Sequence, residues 1–115
     1  MNKAFEQIAL IPGMIAAAFV ADEGTLNGWC ANSAISPESL CFVAETCRVI
    51  LSAYRAEQRT AHTGIVAFGN RTLVFRENEA GLFLAYLDSP TNETVMEWFW
   101  MQVKPVLAEE GIKFE

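Results

Sequence analysis

Few residues in this chain of 115 could do chemistry. His62 is the only histidine, so a histidine-rich metal site is excluded and a Cys–His nucleophile pair would have to use this one ring. Gly64 and Gly69 enclose apolar residues only, and no Gly-Lys-Ser/Thr sequence follows them, so they do not form a phosphate-binding loop. These residues do not indicate an active site.

The carboxylates have a simpler explanation than catalysis. They are found in predicted turns or on predicted exposed helical surfaces, in the pairs Glu77 and Glu79, Glu93 and Glu97, and Glu109 and Glu110. Such positions favour solubility and complement the dipole of a helix. We therefore predict that the chain is not an enzyme and has no catalytic residue, metal site or cofactor.

The cysteine count indicates the redox environment. Cys30, Cys41 and Cys47 are odd in number and none belongs to a CxxC pair. This pattern favours reduced thiols packed as small hydrophobic groups, and hence a cytoplasmic location, with one reactive thiol as the alternative.

Charge and hydropathy exclude two further classes of protein. A net charge of −6 argues against non-specific nucleic-acid binding, which depends on Lys and Arg at phosphates. The chain is 52% hydrophobic, yet no apolar run reaches the roughly 18 residues needed to span a bilayer. Only Lys3 is basic near the start and no hydrophobic signal core follows it, so we expect neither secretion nor membrane insertion.

The longest helical pattern runs from Ser36 to Arg59. Ser36 is suited to cap the helix and Pro37 to occupy its first position. Apolar residues then recur at steps of three and four, which predicts one stripe facing a core. The stripe consists of Leu40, Val43, Ala44, Cys47, Ile50, Leu51 and Tyr54.

A second apolar line lies on the opposite side of this helix. Phe42, Val49 and Ala56 are seven residues apart, and Ala53 lies beside them. One interpretation is scattered exposed hydrophobic residues, which are common on soluble proteins. The interpretation we favour is a helix–helix contact with a second copy or another chain.

The remaining pattern predicts five strands and two further helices. The helices are Asn2–Ile11 and Thr91–Glu110, and the strands are Met14–Ala21, Leu26–Ala34, Thr63–Phe68, Thr72–Glu77 and Leu82–Leu87. Hairpin-type turns between strands favour an antiparallel five-stranded sheet with helices on its faces, an α+β architecture. No linker or repeat interrupts the chain, so we expect a single domain over residues 1–115.

The last helix also has apolar residues on two sides. A core stripe is predicted at Val95, Phe99, Val103 and Val106, flanked by Met96 and Leu107. Trp98, Met101 and Pro105 fall on the other side, and Pro105 should kink the helix near Met101. Aromatic and Met residues on an outer face are typical of a partner surface. The alternative is that the N-terminal helix covers them.

The order of these elements resembles the roadblock/LC7 domain over nearly the whole chain. The matching segments are IPGMIAAAFVADEGTLNG, PESLCFVAETCRVILSAY, GIVAFGNRTLVFREN and GLFLAYL, followed by a closing helix. The related longin and profilin-like folds share much of this order. The resemblance implies a five-stranded antiparallel sheet with the long central helix on one face and the terminal helices on the other.

The resemblance also implies a dimer, with either an identical or a related subunit. In the family, the third strands of two subunits pair edge to edge and the long helices pack together. The strand Thr63–Phe68, including Thr63, Ile65 and Ala67, and the helix line of Phe42, Val49, Ala53 and Ala56 would then form the interface. Family members are regulatory or scaffold subunits, among them dynein light chains and partners of Ras-like GTPases.

Two functions are therefore open at the sequence level. The first is a non-catalytic dimeric module that regulates or scaffolds a small GTPase or another regulatory protein. The second is a small-molecule sensor with a pocket between helix and sheet. The predicted inward positions are all apolar, which counts against a polar ligand.

Overall fold

The computed structural model describes residues 2–32, 34–57 and 63–114. The helices are α1 (Asn2–Ile8), α2 (Pro37–Ala56) and α3 (Glu93–Glu109). The strands are β1 (Met14–Ala21), β2 (Leu26–Ala31), β3 (Thr63–Phe68), β4 (Arg71–Glu77) and β5 (Gly81–Leu87). They form one antiparallel sheet of five strands in the order β2-β1-β5-β4-β3, as predicted.

The helices divide between the two faces of the sheet because side chains alternate along the central strands. Ala16, Ala18 and Val20 of β1 pack in a core with Leu40, Ala44, Cys47 and Leu51 of α2. On the opposite face, Ala17 and Phe19 pack in a second core, whose helical members are Phe5 and Ile8 of α1 and Met96, Phe99, Val103 and Leu107 of α3. The α+β class, with α2 on one face and the terminal helices on the other, is confirmed.

The start of α2 follows from its cap. The Ser39 amide donates to the Ser36 Oγ at 3.2 Å, Pro37 occupies the first turn, and Glu38 adds negative charge there. The predicted continuation to Arg59, and the exit formed by residues 60–62, lie outside the described residues.

Three element ends differ from prediction, and polar side chains set two of them. β2 ends at Ala31 rather than Ala34, since the Asn32 Nδ2 donates to the Ala9 and Met14 carbonyls at 3.0 and 2.9 Å. α3 begins at Glu93 rather than Thr91, since the Asn92 Oδ1 accepts from the Val95 amide at 2.9 Å. α1 ends at Ile8 rather than Ile11. The amides of Leu10 and Ile11 donate to carbonyls three residues earlier, so the chain continues as a turn instead of an α-helix.

Two residues predicted to be core are wrong. Tyr54 and Val95 are both exposed. At about 100° per residue, Val95 lies at the margin of the buried stripe of α3. Tyr54 points in the direction of the buried stripe of α2 but lies beyond Leu51, the last buried residue of that helix. Both side chains therefore add to the exposed apolar surface.

Arg48 joins α2 to the turn between β1 and β2. Its Nη2 donates to the carbonyls of Val20 and Ala21 at 2.7 and 2.8 Å, and its Nη1 donates to the Asp22 carbonyl at 3.4 Å. The Asp22 carboxylate lies 3.9 Å from Nη2 and adds a weak charge contact. One cation thus bonds two carbonyls at the end of β1 and one in the turn that follows.

Candidate interaction surface

β3 is an edge strand without a buried residue. It pairs with β4 on one side only, and every residue from Thr63 to Phe68 is exposed or half-buried. Ile65 is 51% exposed, and Phe68 is exposed to the same extent. Natural proteins usually protect a sheet edge with charge, proline or a covering element, because it offers unpaired backbone groups to another chain. A strand this apolar at the edge is typical of a contact site.

The turn after β3 fixes which backbone groups point outward. Phe68 pairs with Arg71 across the two turn residues Gly69 and Asn70. In a two-residue hairpin the flanking residues exchange both hydrogen bonds, and bonded and non-bonded pairs alternate from there. The outward N–H and C=O groups therefore belong to Thr63, Ile65 and Ala67, the residues for which the family resemblance implies strand pairing.

The side chains of these three residues lie on the opposite face of the sheet from α2. Ile65 pairs with Val74, which packs in the core of α1 and α3, whereas Val66 pairs with Leu73 and packs in the α2 core. Val66 and Phe68 are thus the β3 side chains that share a face with α2. Sequence reasoning missed them, although the alternation of the strand carries the signal.

Gly64 allows β3 to lie close to its neighbour. A Cβ on Gly64 would come within 2.2 Å of the Phe75 ring. Phe75 is fully buried in the α2 core, so its ring cannot move away freely. The glycine therefore serves packing of the edge strand and not phosphate binding.

The outer side of α2 is apolar and exposed. Phe42 and Val49 are 72% and 67% exposed, and Ala53 and Ala56 are exposed beside them. α2 also contacts β3. We call these four α2 residues, together with Val66 and Phe68, the α2-side surface. The predicted helix residues therefore lie on the same face of the sheet as the side chains of Val66 and Phe68.

The outer side of α3 is a separate apolar surface on the opposite face of the sheet. Trp98 is exposed, Met101 is 71% exposed, and Pro105 is exposed. α1 therefore does not cover them, which overturns the alternative that it does. α3 itself continues through Pro105 to Glu109.

Burial keeps the thiols of Cys30 and Cys47 protonated. Burial raises the pKa of the Cys47 thiol to about 12 and also raises the pKa of Cys30. A thiol that stays protonated is a poor nucleophile, so Cys47 is a packing residue.

The described parts of the chain offer no grouping of His, Cys, Asp and Glu suited to a metal ion. Nor do they include a helix long and apolar enough to span a membrane. A cavity of about 280 Å³ is lined by Gly13, Met14, Ile15, Asn32, Arg71 and Asp88. A hydrogen bond to Tyr86 raises the pKa of Arg71, and the Asp88 carboxylate, 3.4 Å from the Arg71 Nε, raises it further.

Sequence comparison finds no matching protein-family profile and no matching curated protein. Comparison of structures does find similar folds. A roadblock/LC7 domain from Streptomyces avermitilis superimposes with a TM-score of 0.72 at 12% identity, covering 97% of this chain and 98% of that one. The chain has the roadblock/LC7 fold.

Two further solved structures have a similar fold. MglB of Myxococcus xanthus matches with a TM-score of 0.70 at 10% identity, over 96% of this chain and 92% of that one. Profilin II of Acanthamoeba castellanii matches with a TM-score of 0.58 at 11% identity, over 96% and 98%. The predicted relation to both roadblock/LC7 and profilin-like folds is confirmed at the level of fold.

Proposed function

We propose that this roadblock-type chain, a single domain over residues 1–115, is a non-catalytic cytoplasmic subunit that works as a dimer. The observation that carries the proposal is the β3 edge: an apolar strand with outward backbone groups at Thr63, Ile65 and Ala67 and without a buried residue. Pairing of two such edges would join two sheets into one and satisfy those groups.

The α2-side surface supports the same contact. Phe42 and Val49 expose most of their side chains, although each lies on a helix whose other side is a tightly packed core. Covering them in a second subunit would remove apolar area from water. The contact could form between identical copies or with a related subunit of the same fold.

The proposed role of this dimer is to regulate or scaffold a small Ras-like GTPase. The support is the roadblock/LC7 fold together with the sequence resemblance to a family whose members include partners of such GTPases. A regulator of this kind needs a rigid surface rather than an acid, a base or a nucleophile of its own. The exposed apolar β3 edge and the α2-side surface agree with that requirement.

Native mass spectrometry of the protein, gently purified from its own host, tests the proposal. We expect a dimer that carries a guanine-nucleotide-binding chain, and retention of that chain should differ between GTP-loaded and GDP-loaded preparations. A dimer that retains the nucleotide-binding chain equally in the GTP-loaded and GDP-loaded preparations would contradict regulation, and scaffolding would remain as the role. A monomer carrying a small molecule would overturn the proposal in favour of a sensor.

The sensor function is not favoured by a specific observation. The cavity at Arg71 and Asp88 lies at one end of the sheet, and a groove of about 320 Å³ lies beside Pro105. Neither is enclosed between α2 and the sheet, where Ala44, Cys47 and Leu51 fill the space.

A further inference from the structure

β3 lacks three features that commonly keep a sheet edge from pairing with its own copy. Its sequence, TGIVAF, contains neither a charged residue nor a proline. Its pairing with β4 runs in one register from Thr63 to Phe68, so no bulge twists this edge away. Natural sheet edges use charge, proline and bulges against self-pairing. A strand that has to reject an identical copy and accept a related subunit would need such a repulsive element.

We propose that the β3 edge pairs with the β3 edge of an identical copy, antiparallel, in the register that places Ile65 on the two-fold axis. This inference rests on the dimer proposed above and specifies its partner and its register. Residues at equal distances on either side of such an axis lie opposite each other. Ile65 then lies opposite Ile65 of the second copy, and Thr63 lies opposite Ala67.

The backbone hydrogen bonds of the edge favour this register. The outward groups belong to Thr63, Ile65 and Ala67, of which Ile65 is the middle one. With the axis at Ile65, each of these three residues donates its N–H to the residue opposite and accepts at its C=O from the same residue. An axis at any other residue of β3 pairs at most two of the three inside the strand. Backbone groups that are covered but unpaired are costly, so the central register is the most stable one.

The side chains on the α2 face fit the same register. Val66 lies opposite Gly64 of the second copy, in a pair without hydrogen bonds, where opposite residues approach most closely. Gly64 has no side chain, and the Phe75 ring occupies the space beside it where a Cβ would lie. Val66 would therefore pack against that ring. Phe75 is buried in the α2 core and Val66 packs against the same core, so this contact joins the α2 cores of the two copies. An axis at Gly64 would place Gly64 opposite Gly64 and leave a gap.

The opposite face of the strand accepts an identical copy as well. Ile65 is 51% exposed, and at the axis its side chain would meet its own counterpart. Thr63 and Ala67 would lie opposite each other on both sides of this pair. Like charges directly opposite each other destabilise a strand pair, and this register brings none together. A second copy is therefore the partner that every position of the β3 edge fits.

Disulfide formation tests the position of the axis. Mild oxidation should convert most of the Ile65→Cys chain into a covalent dimer, because opposite Cα atoms about 5.5 Å apart lie within the range of a disulfide. Ala67→Cys is the matched control, exposed on the same face of the same strand. Its counterpart lies about 13 Å away along the strand, so it should not link to itself. Thr63→Cys should link to Ala67→Cys when the two variants are mixed, and the oxidised native chain gives the background from its own cysteines.

Sedimentation velocity of the same purified variants separates this inference from the proposed dimer. A dimer in which Ile65→Cys does not link, or in which Ala67→Cys links equally well, would overturn the register while the dimer itself stands. A purified chain that stays monomeric alone and dimerises only with a related subunit from its host would overturn the identical copy as the partner. A chain that is monomeric in both settings would overturn the proposed dimer and this inference together.

Discussion

Replacing Val49 by Glu should split the proposed dimer. Val49 is 67% exposed in the single chain, so about two thirds of its side chain remains available for burial. Full burial of a valine side chain is worth about 1.5–3 kcal/mol, which leaves about 1–2 kcal/mol for each copy. A charge buried without a partner costs about 3–5 kcal/mol more.

These contributions add to about 5 kcal/mol or more for a dimer that contains the site twice. Since about 1.4 kcal/mol corresponds to a factor of ten, the dissociation constant should rise roughly a thousandfold or more. The isolated subunit should be unaffected, because surface changes of this kind alter folding free energy by about 0.5 kcal/mol or less. Glu also has a better helix propensity than Val.

Sedimentation velocity over a range of concentrations measures the change, with circular dichroism as a check that the variant is folded. Thr25→Glu adds the same charge in the exposed turn between β1 and β2 and serves as the matched control. We expect Val49→Glu to sediment as a monomer and Thr25→Glu to sediment as the native chain does. A folded Val49→Glu variant of unchanged mass would refute the assignment of α2 to the interface.

Three further changes probe the packing that holds these surfaces. Gly64→Ala should lower the free energy of unfolding by about 1–3 kcal/mol, seen in urea titrations, because its Cβ would overlap the Phe75 ring; an unchanged midpoint would show that the ring can shift. Arg48→Met should lower the free energy of unfolding, measured by thermal denaturation, by about 1–3 kcal/mol, because the carbonyls of Val20, Ala21 and Asp22 lose this donor. A stability equal to that of the native chain would contradict this role. The pKa of Cys47 is about 12 in the folded chain and 9.0 for an ordinary thiol. The unfolded chain therefore loses this proton at a lower pH than the folded chain does. The contribution of the protonated thiol to stability is present below pH 9 and is lost as pH rises towards 12. Stability should therefore fall more between pH 8 and 10.5 in the native chain than in Cys47→Ala.

The sequence predicted the parts of the fold in which local pattern and tertiary packing agree. The apolar run of β5 indicated an interior strand, and β5 does lie between β1 and β4. The Ser36 and Pro37 signals predicted the start of α2, because a cap depends only on neighbouring residues. The exposure of Phe42 and Val49 followed from their angle on the helix.

Other features depend on contacts that are distant in sequence. Tyr54 fits the apolar periodicity of α2, yet it is exposed because it lies beyond Leu51, the last residue of α2 that is buried against the sheet. The end of β2 depends on the Asn32 side chain reaching the Ala9 carbonyl, 23 residues away. The face on which Ile65 lies follows from register with β4, which the β3 sequence alone does not specify.

Residue-resolved amide exchange along β3, measured at low and high protein concentration, tests the edge-to-edge contact most directly. The amides of Val66 and Phe68, which are bonded to β4, should be protected at both concentrations. The outward amides of Ile65 and Ala67 should exchange rapidly in the dilute monomer and become protected as the dimer forms. If Ile65 and Ala67 exchange rapidly at concentrations where the chain is dimeric, the subunits associate without pairing their β3 edges and the central claim is wrong.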